Sequence, residues 1–352
     1  MAKTMMKGNV AAAEAAIRAG LDLFAGYPIT PSTETLETLS HRMPEEGKQF
    51  IQAESELAGI NMIMGASACG ARVLTASSGP GMSLKQEGFS YAARNEIPYV
   101  CMNVQRWGAG LGRLDSGQSD YLRDTRAGGN GDYRQIVYSP YSIQELVDDM
   151  YEAFDVAEKY RIGVLVLSEG FLGQMMEPVE LPPRKHREKA LDWGLDGTGA
   201  VGLKPQRDNA AYLQHLRGKL AQIDREMQRC ELTDAEDADY IFVAFGLPAR
   251  VCEDAVKKLR AAGEKVGLLR PRLVYPYPVE AFRRVNPEVK GFISIETNDL
   301  GQMIQDVALS VKKTFTRNVP TYCYAHSMGV PRVQTVIDQY NKIKQGEIRE
   351  VY

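Results

Sequence analysis

Short apolar runs separated by amphipathic helical stretches recur along this chain, and that alternation constrains the fold more than any other feature. The runs are Leu21 to Gly26, Lys48 to Gln52, Arg72 to Ala76, Pro98 to Val104 and Gly163 to Leu167. Short buried strands alternating with helices are expected of a doubly wound parallel sheet. The same alternation resumes near Asp237, with strands at Tyr240 to Phe245, Val266 to Leu269, Gly291 to Ile295 and Thr321 to Tyr324, and helices at Pro248 to Ala262 and Leu300 to Phe315. The fold class read from this pattern is α/β, with two doubly wound parallel-sheet domains. At 352 residues the chain is long enough to build two cores. The expected boundaries are a first domain at 1–180, a linker and helical arm at 181–236, and a second domain at 237–352. In the arm, Leu181-Pro182-Pro183 leads to the basic run Arg184 to Arg187, a glycine-rich stretch and the charged helix Asn209 to Arg229.

Hydrophobic residues make up 44%, charged residues 25%, and the net charge is only -3, the profile of a globular chain with no bias toward nucleic acid or membrane. There is no apolar N-terminal run, and no stretch approaches the roughly 20 apolar residues of a membrane span, so the expected location is cytoplasmic. Cys69, Cys101, Cys230, Cys252 and Cys323 are scattered, with no Cys-x-x-Cys pair. Neither a structural zinc nor an iron-sulfur cluster is expected in this chain, and no metal ligands are assigned. His186 and His215 have no partner at ligand spacing, and the basic run reads as a solvated face.

Ligands of open α/β sheets bind at the carboxyl ends of the strands, so the residues just after each run are the candidates. After Lys48 to Gln52 come Glu54 and Glu56, at the start of a helix rich in small and apolar residues and expected to be mostly buried. Two carboxylates there either complement the helix dipole or carry chemistry. Tyr27-Pro28-Ile29-Thr30-Pro31-Ser32 comes after the first run; Tyr27 and Thr30 point where a substrate would lie, and Ser32 is available to cap the next helix. A proline-fixed turn accounts for the same residues. Ser77-Ser78-Gly79-Pro80-Gly81 turns sharply into a helix running to Asn95, a place for an anion or a tight packing turn, matching neither the Walker pattern nor Gly-x-Gly-x-x-Gly. Arg106 ends the fourth run, able to clamp a carboxylate through two parallel hydrogen bonds or to pair on the surface. Asp115 to Arg134 is a loop long enough to need a use, such as covering a site or docking a partner. Arg270-Pro271-Arg272 with Tyr275-Pro276-Tyr277-Pro278, and Glu296-Thr297-Asn298-Asp299, either line a cleft or serve as turns and caps.

Taken in order, Tyr27-Pro28-Ile29-Thr30-Pro31, Ala53-Glu54-Ser55-Glu56, Thr75 to Gly81, the strand-ending Arg106 and Glu296-Thr297-Asn298-Asp299-Leu300-Gly301-Gln302 resemble the alpha subunit of 2-oxoacid:ferredoxin oxidoreductases. The likeness covers nearly the whole chain, is weakest between Arg184 and Glu236, and is greatest to the branched-chain (3-methyl-2-oxobutanoate) members. It implies that the first domain is the pyrimidine-binding half of a thiamine pyrophosphate site and that the second is similar to the C-terminal domain of transketolase. Glu56, not Glu54, lies on the family's glutamate, which stands beside the cofactor's aminopyrimidine ring. Ser78 and Gly79 fall in the cofactor turn, while Tyr27, Thr30 and Arg106 match positions around the 2-oxoacid, the arginine against its carboxylate.

The resemblance also implies partners. No Gly-Asp-Gly motif occurs for the pyrophosphate and its Mg2+, so these belong to a beta subunit, and the 4Fe-4S clusters that carry electrons lie in partner subunits only. A gamma subunit and a ferredoxin or ferredoxin-like subunit complete a hetero-oligomer, expected as a dimer of heteromers, with coenzyme A as cosubstrate. The implied reaction is oxidative decarboxylation of a 2-oxoacid to acyl-CoA and CO2 with reduction of ferredoxin. Gly110-Leu111 stands where oxoglutarate-using relatives carry a polar Ser-Thr pair, which favours an apolar substrate because a buried distal carboxylate would lack a partner. 2-Oxoglutarate and aryl 2-oxoacids stay open as alternatives, as do a non-redox thiamine decarboxylase subunit and a non-catalytic protein holding a nucleotide or anion at Ser77 to Gly81.

Overall fold

The computed structural model describes residues 3–185, 191, 193–195, 208–327 and 329–351. The apolar runs form a seven-stranded sheet in the spatial order Leu273–Tyr275, Ile136–Tyr138, Gly163–Glu169, Tyr99–Gln105, Val73–Ser77, Leu23–Gly26 and Gln49–Gln52. The six strands from the N-terminal unit run parallel. The seventh, Leu273–Tyr275, comes from the C-terminal half and pairs antiparallel with Ile136–Tyr138. The fully buried strands Val73–Ser77, Tyr99–Gln105 and Gly163–Glu169 form its middle, as near-continuous apolar sequence requires.

Helices cover both faces. Gly8–Arg18 is lined by Ala11, Ala12, Ala13, Ala15 and Ala16, all fully buried, and these small side chains let it lie close against helices Thr33–Glu45 and Ile143–Tyr160. The latter starts on Ser142, whose hydroxyl accepts from Glu145 N at 3.2 Å, and ends on Arg161 in the left-handed region, φ 49°. The second sheet has the order Thr321–Ala325, Gly291–Glu296, Tyr240–Val243, Val266–Pro271 and Cys230–Thr233, with only the last strand antiparallel. Both sheets are therefore mixed at one edge, each edge closed by a short strand that periodicity did not mark. A two-stranded ribbon, Thr4–Lys7 with Met176–Val179, ties the N-terminus to the end of the first unit.

Four expectations change. The helix starting at Glu56 is not mostly buried: Gly59, Ile60 and Ile63 face the sheet, while Leu57, Asn61 and Met62 face outward. Gly59 lets it lie close on the sheet, since a Cβ there would stand 3.3 Å from the Ala25 carbonyl oxygen. Ser32 does not cap the following helix; its hydroxyl donates to Ile29 O at 2.8 Å. The stretch Gly79 to Asn95 is two helices, Gly79–Leu84 and Gln86–Arg94, with Lys85 at the break. The helical arm is Asn209–Met227, packed on the first unit through Ile223 and Met227, and Cys230–Thr233 beyond it joins the second sheet. Arg184 pairs with Glu46 and Lys185 with Asp155, while His186, Arg187 and most of the glycine-rich stretch lie outside the described residues.

Glu296, at the end of the strand Gly291–Glu296, is a cap. Its fully buried carboxylate accepts from Gln302 N, Met303 N and Ile304 N at 2.7 to 2.8 Å, from Ser294 Oγ at 2.6 Å and from Asn298 Nδ2 at 2.9 Å. Those amides open the helix Ile304–Thr314 and are donors with no intrahelical partner. Replacing Glu296 by Ala leaves them buried and unpaired. The expected cost is at least about 3 kcal/mol, since one charge-assisted hydrogen bond contributes roughly 1.5–3 kcal/mol. Denaturant unfolding followed by circular dichroism would read it, and a loss below about 1 kcal/mol would contradict the capping role.

Candidate active site

The candidate residues meet at one end of the N-terminal sheet. The chain adds Gln49–Gln52 on one side of Leu23–Gly26 and then Val73–Ser77 on the other, so the loops leaving these strands diverge and leave a crevice. Thr30 follows Leu23–Gly26, Glu56 follows Gln49–Gln52, Gly79 and Gly81 follow Val73–Ser77, and Arg106 follows Tyr99–Gln105. Four neighbouring strands thus deliver these five residues to the same crevice.

Glu56 is the first residue of its helix, behind the N-cap Ser55, whose hydroxyl accepts from Ala58 N at 3.2 Å. It is only 5% exposed, whereas Glu54, two residues earlier and outside the helix, is exposed. A Cβ on Gly81 would collide with both Glu56 Oε1 and Ser77 Oγ, so the carboxylate lies directly on the glycine turn. Arg106 is likewise 5% exposed. Its Nη1 donates to the Thr30 carbonyl at 3.0 Å, and a Cβ on Gly79, which has φ 47°, would stand 2.6 Å from its Nε. The two glycines therefore seat a guanidinium and a carboxylate rather than a phosphate, and the helix they open has only six residues.

Several polar atoms at this place have no partner. Arg106 Nε and Nη2, Ser77 Oγ and Ser78 Oγ are all buried and unpaired. Burial pushes the pKa of Arg106 down, against the opposing pull of the Asp120 and Glu56 carboxylates. A buried guanidinium with two idle donors in a fixed fork matches a carboxylate. The crevice thus offers an acid, an anion clamp and hydroxyl groups, which fits a ring cofactor hydrogen-bonded at Glu56 and an anionic substrate at Arg106. Thr30 contributes its backbone oxygen; its side chain and that of Tyr27, 40% exposed, stand on the outer rim. Among the described residues no group of three or more His, Cys, Asp or Glu side chains is placed to hold a metal ion.

The long segment after Arg106 is ordered by use. Trp107 to Asp115 is a hairpin, with Arg113 N donating to Trp107 O at 2.7 Å and Trp107 N to Asp115 O at 2.9 Å; Leu111 at its tip is 78% exposed. Beyond it, Gln118 joins the two units: its N donates to Thr297 O at 2.6 Å, its Nε2 to Phe245 O at 2.9 Å and to Glu169 Oε1 at 3.1 Å. The helix Tyr121–Arg126 comes next, with Tyr121 and Arg126 both on Asp306 at 2.5 and 2.6 Å. The expectation of an extended loop is corrected by that helix, and the docked object is the C-terminal unit of the same chain. Between the hairpin, Gly79, Arg123 and Asn298 to Gln302 a cleft of about 500 Å³ opens. Gln118, Glu169 and Lys85 were not singled out from sequence. In the sequence Lys85 stands in the polar run Lys85-Gln86-Glu87, which carries the signature of a solvated face, so its burial left no signal there.

Glu169, fully buried at the end of Gly163–Glu169, also accepts from Leu247 N at 2.9 Å and Ser116 Oγ at 3.1 Å. Burial raises its pKa to about 7 despite those donors. The folded state therefore holds this proton more tightly than the unfolded chain. The resulting stabilisation is full below the ordinary value of 4.5 and is lost as pH rises through about 7. Wild type should lose stability relative to Glu169→Gln as pH rises from about 5 to about 8, seen in denaturant midpoints of both proteins. Parallel pH curves would contradict this placement.

Known proteins resemble both halves of the chain. Residues 14–229 match the family described as pyruvate flavodoxin/ferredoxin oxidoreductase, thiamine diphosphate-binding, and residues 238–336 match pyruvate:ferredoxin oxidoreductase core domain II. The chain is 43% identical to the ketoisovalerate oxidoreductase subunit VorB of Methanothermobacter marburgensis, over 88% of this chain and 90% of that one. It is 36% identical to the 2-oxoglutarate synthase subunit KorA of Archaeoglobus fulgidus, over 87% and 91%. Among solved structures it is similar to the 2-oxoglutarate:ferredoxin oxidoreductase of Magnetococcus marinus with 2-oxoglutarate, coenzyme A and succinyl-CoA bound. That likeness has a TM-score of 0.83 and 25% identity, covering 97% of this chain and 65% of that chain. A split-gene transketolase, TM-score 0.63 and 11% identical, shares the fold.

Proposed function

The chain belongs to the 2-oxoacid:ferredoxin oxidoreductase family, and we propose that it supplies the acid and the substrate clamp of a thiamine-dependent site completed by a partner subunit. The observation that carries this reading is the pairing of Glu56 and Arg106, both buried and both seated on one glycine turn, with two guanidinium donors idle. Thiamine pyrophosphate, when bound, supplies the electron sink for loss of CO2 from a 2-oxoacid. Glu56, buried in the crevice, would hydrogen-bond the ring nitrogen of the cofactor where water is kept away. Ser78 and Gly79 line the cofactor's approach. Arg106 binds and orients the substrate carboxylate through Nε and Nη2 while Nη1 stays on Thr30, and Thr30 and Tyr27 shape the rim at the reacting end.

The reaction is oxidative decarboxylation with coenzyme A, the electrons passing to ferredoxin through clusters held by other subunits. The relatives are named as subunits, and the need for a partner agrees with Leu57, Met62, Leu84 and Tyr91, large apolar side chains exposed on the helices that frame the site. A beta subunit carrying the pyrophosphate and Mg2+ sites, a gamma subunit and a ferredoxin-like subunit are the proposed partners, in a dimer of heteromers in the cytoplasm. Among the described residues no helix is long and apolar enough to cross a membrane. The substrate is a branched-chain 2-oxoacid. This is supported by the higher identity to VorB than to KorA; Leu111, 78% exposed at the hairpin tip, adds no burial argument in this chain alone. The KorA likeness favours 2-oxoglutarate as the second reading, and a substrate panel on the purified complex separates the two.

In the assembled complex Glu56→Gln should lower turnover by roughly 100- to 10,000-fold, as for a lost acid-base group. Near-normal turnover would remove Glu56 from the mechanism. Arg106→Met should raise the KM for the 2-oxoacid by roughly 10- to 100-fold, the worth of a charge-assisted hydrogen bond, and leave the KM for coenzyme A unchanged. An equal rise in both would contradict the clamp.

A further inference from the structure

Asn9 is fully buried at the start of the helix Gly8–Arg18 and reaches across to the turn that carries Thr30. Its Nδ2 donates to Pro31 O at 2.7 Å and to Glu34 Oε2 at 3.0 Å. A carbonyl and a carboxylate oxygen only accept here, so the amide has to present its nitrogen to them. Its oxygen is then left against Gly173, where a Cβ would stand 2.6 Å from Oδ1, buried and without a partner among the described residues. An unmet buried acceptor is a cost. The side chain bears that cost while it ties the turn.

The seat of Asn9 is fixed. Gly8 N donates to Met175 O at 3.2 Å, and a Cβ on Gly8 would collide with the Leu172 carbonyl oxygen, so this helix start lies directly on the short helix Gly170–Gln174. Gln174 Nε2 also donates to Glu34 Oε1 at 2.7 Å, which holds the carboxylate that Asn9 uses. The turn, by contrast, has few ties. Among the described residues only two side chains from other elements bond to Thr30 and Pro31: Asn9 on the Pro31 carbonyl, and Arg106 Nη1 on the Thr30 carbonyl at 3.0 Å. Ser32 N and Ser32 Oγ both donate to Ile29 O and stay within the turn. Thr30 O and Pro31 O belong to consecutive residues. Where Asn9 holds the second, the first is placed for the guanidinium. A leucine of similar size would leave the turn tied by Arg106 alone.

We propose that Asn9 is a positioning residue for the substrate clamp: it pins the Pro31 carbonyl and, through the adjoining Thr30 carbonyl, sets the Arg106 guanidinium with Nε and Nη2 free for the 2-oxoacid carboxylate. The inference rests on the assignment of Arg106 as that clamp, and its test separates the two.

The test is a steady-state double-mutant cycle on the assembled complex, using the 2-oxoacid that it turns over fastest and varying that substrate and coenzyme A in turn. Asn9→Leu should raise the KM for the 2-oxoacid roughly three- to tenfold, as for one lost hydrogen bond, with kcat within about twofold and the KM for coenzyme A unchanged. In the Arg106→Met background the same substitution should change the 2-oxoacid KM by less than about twofold, because residues acting through one another are not additive. Asn9→Ser, too short to reach Pro31 and small enough to displace nothing, should give the same pattern and serves if the leucine variant fails to assemble. An unchanged KM for the 2-oxoacid, an equal rise for both substrates, or a full effect in the Arg106→Met background would each overturn the Asn9 role. If Arg106→Met alone leaves the 2-oxoacid KM unchanged, the clamp assignment fails instead.

Discussion

The approach of side-chain charge to a glycine turn is the constraint on which the rest of this structure depends. Gly79 and Gly81 leave room above Ser77 to Gly81 for the Arg106 guanidinium and the Glu56 carboxylate, and a Cβ at either place would displace one of them. Both groups are nearly inaccessible to water, so each is held at the expense of its solvation and must be met by a partner or a ligand. Arg106 spends one donor on Thr30 and keeps two. The sheet brings these groups from four different strand ends to one crevice.

The second unit matters to that crevice through a few buried polar contacts. Gln118 is bonded to Thr297, Phe245 and Glu169 together, and Tyr121 and Arg126 both reach Asp306. Gln118, Tyr121 and Arg126 all lie in the segment just beyond Arg106, so the position of that guanidinium and the docking of the C-terminal unit are set by one stretch of chain. Leu273–Tyr275, crossing from the second unit to the edge of the first sheet, strengthens that union. Glu169, protonated or ionised near neutral pH, makes the seam sensitive to pH where its three donors converge.

Much of this was legible in the sequence. The central strands are near-continuous apolar runs with turn residues at each end, which is why the two α/β units and their parallel sheets could be read directly. The short edge strands Cys230–Thr233 and Leu273–Tyr275, and Ile136–Tyr138 beside the latter, could not, because three or four residues carry no periodicity and their pairing is decided by tertiary contact. The distinction between Glu54 and Glu56 rested on family likeness, and the local cause is now plain: Ser55 caps the helix, leaving Glu54 outside and turning Glu56 inward. Ser32 had the residue type of a cap, but its hydroxyl is held by Ile29 O. The helix from Glu56 read as buried because it is apolar on all sides; the outward Leu57 and Met62 instead agree with a surface meant for another subunit. Glu296 had the residue type of a site and serves as a cap, and Gln118 carried no signal at all, since its role exists only once the two units meet.

The central claim is that this chain holds half of a thiamine site, with the acid and the clamp but without the means to grip the pyrophosphate and its metal. Calorimetric titration of thiamine pyrophosphate and Mg2+ into the purified chain alone, and into the chain assembled with its partner subunits, tests it most directly. The account predicts heat of binding only in the assembly. Binding by the isolated chain with the affinity of the assembly would contradict it.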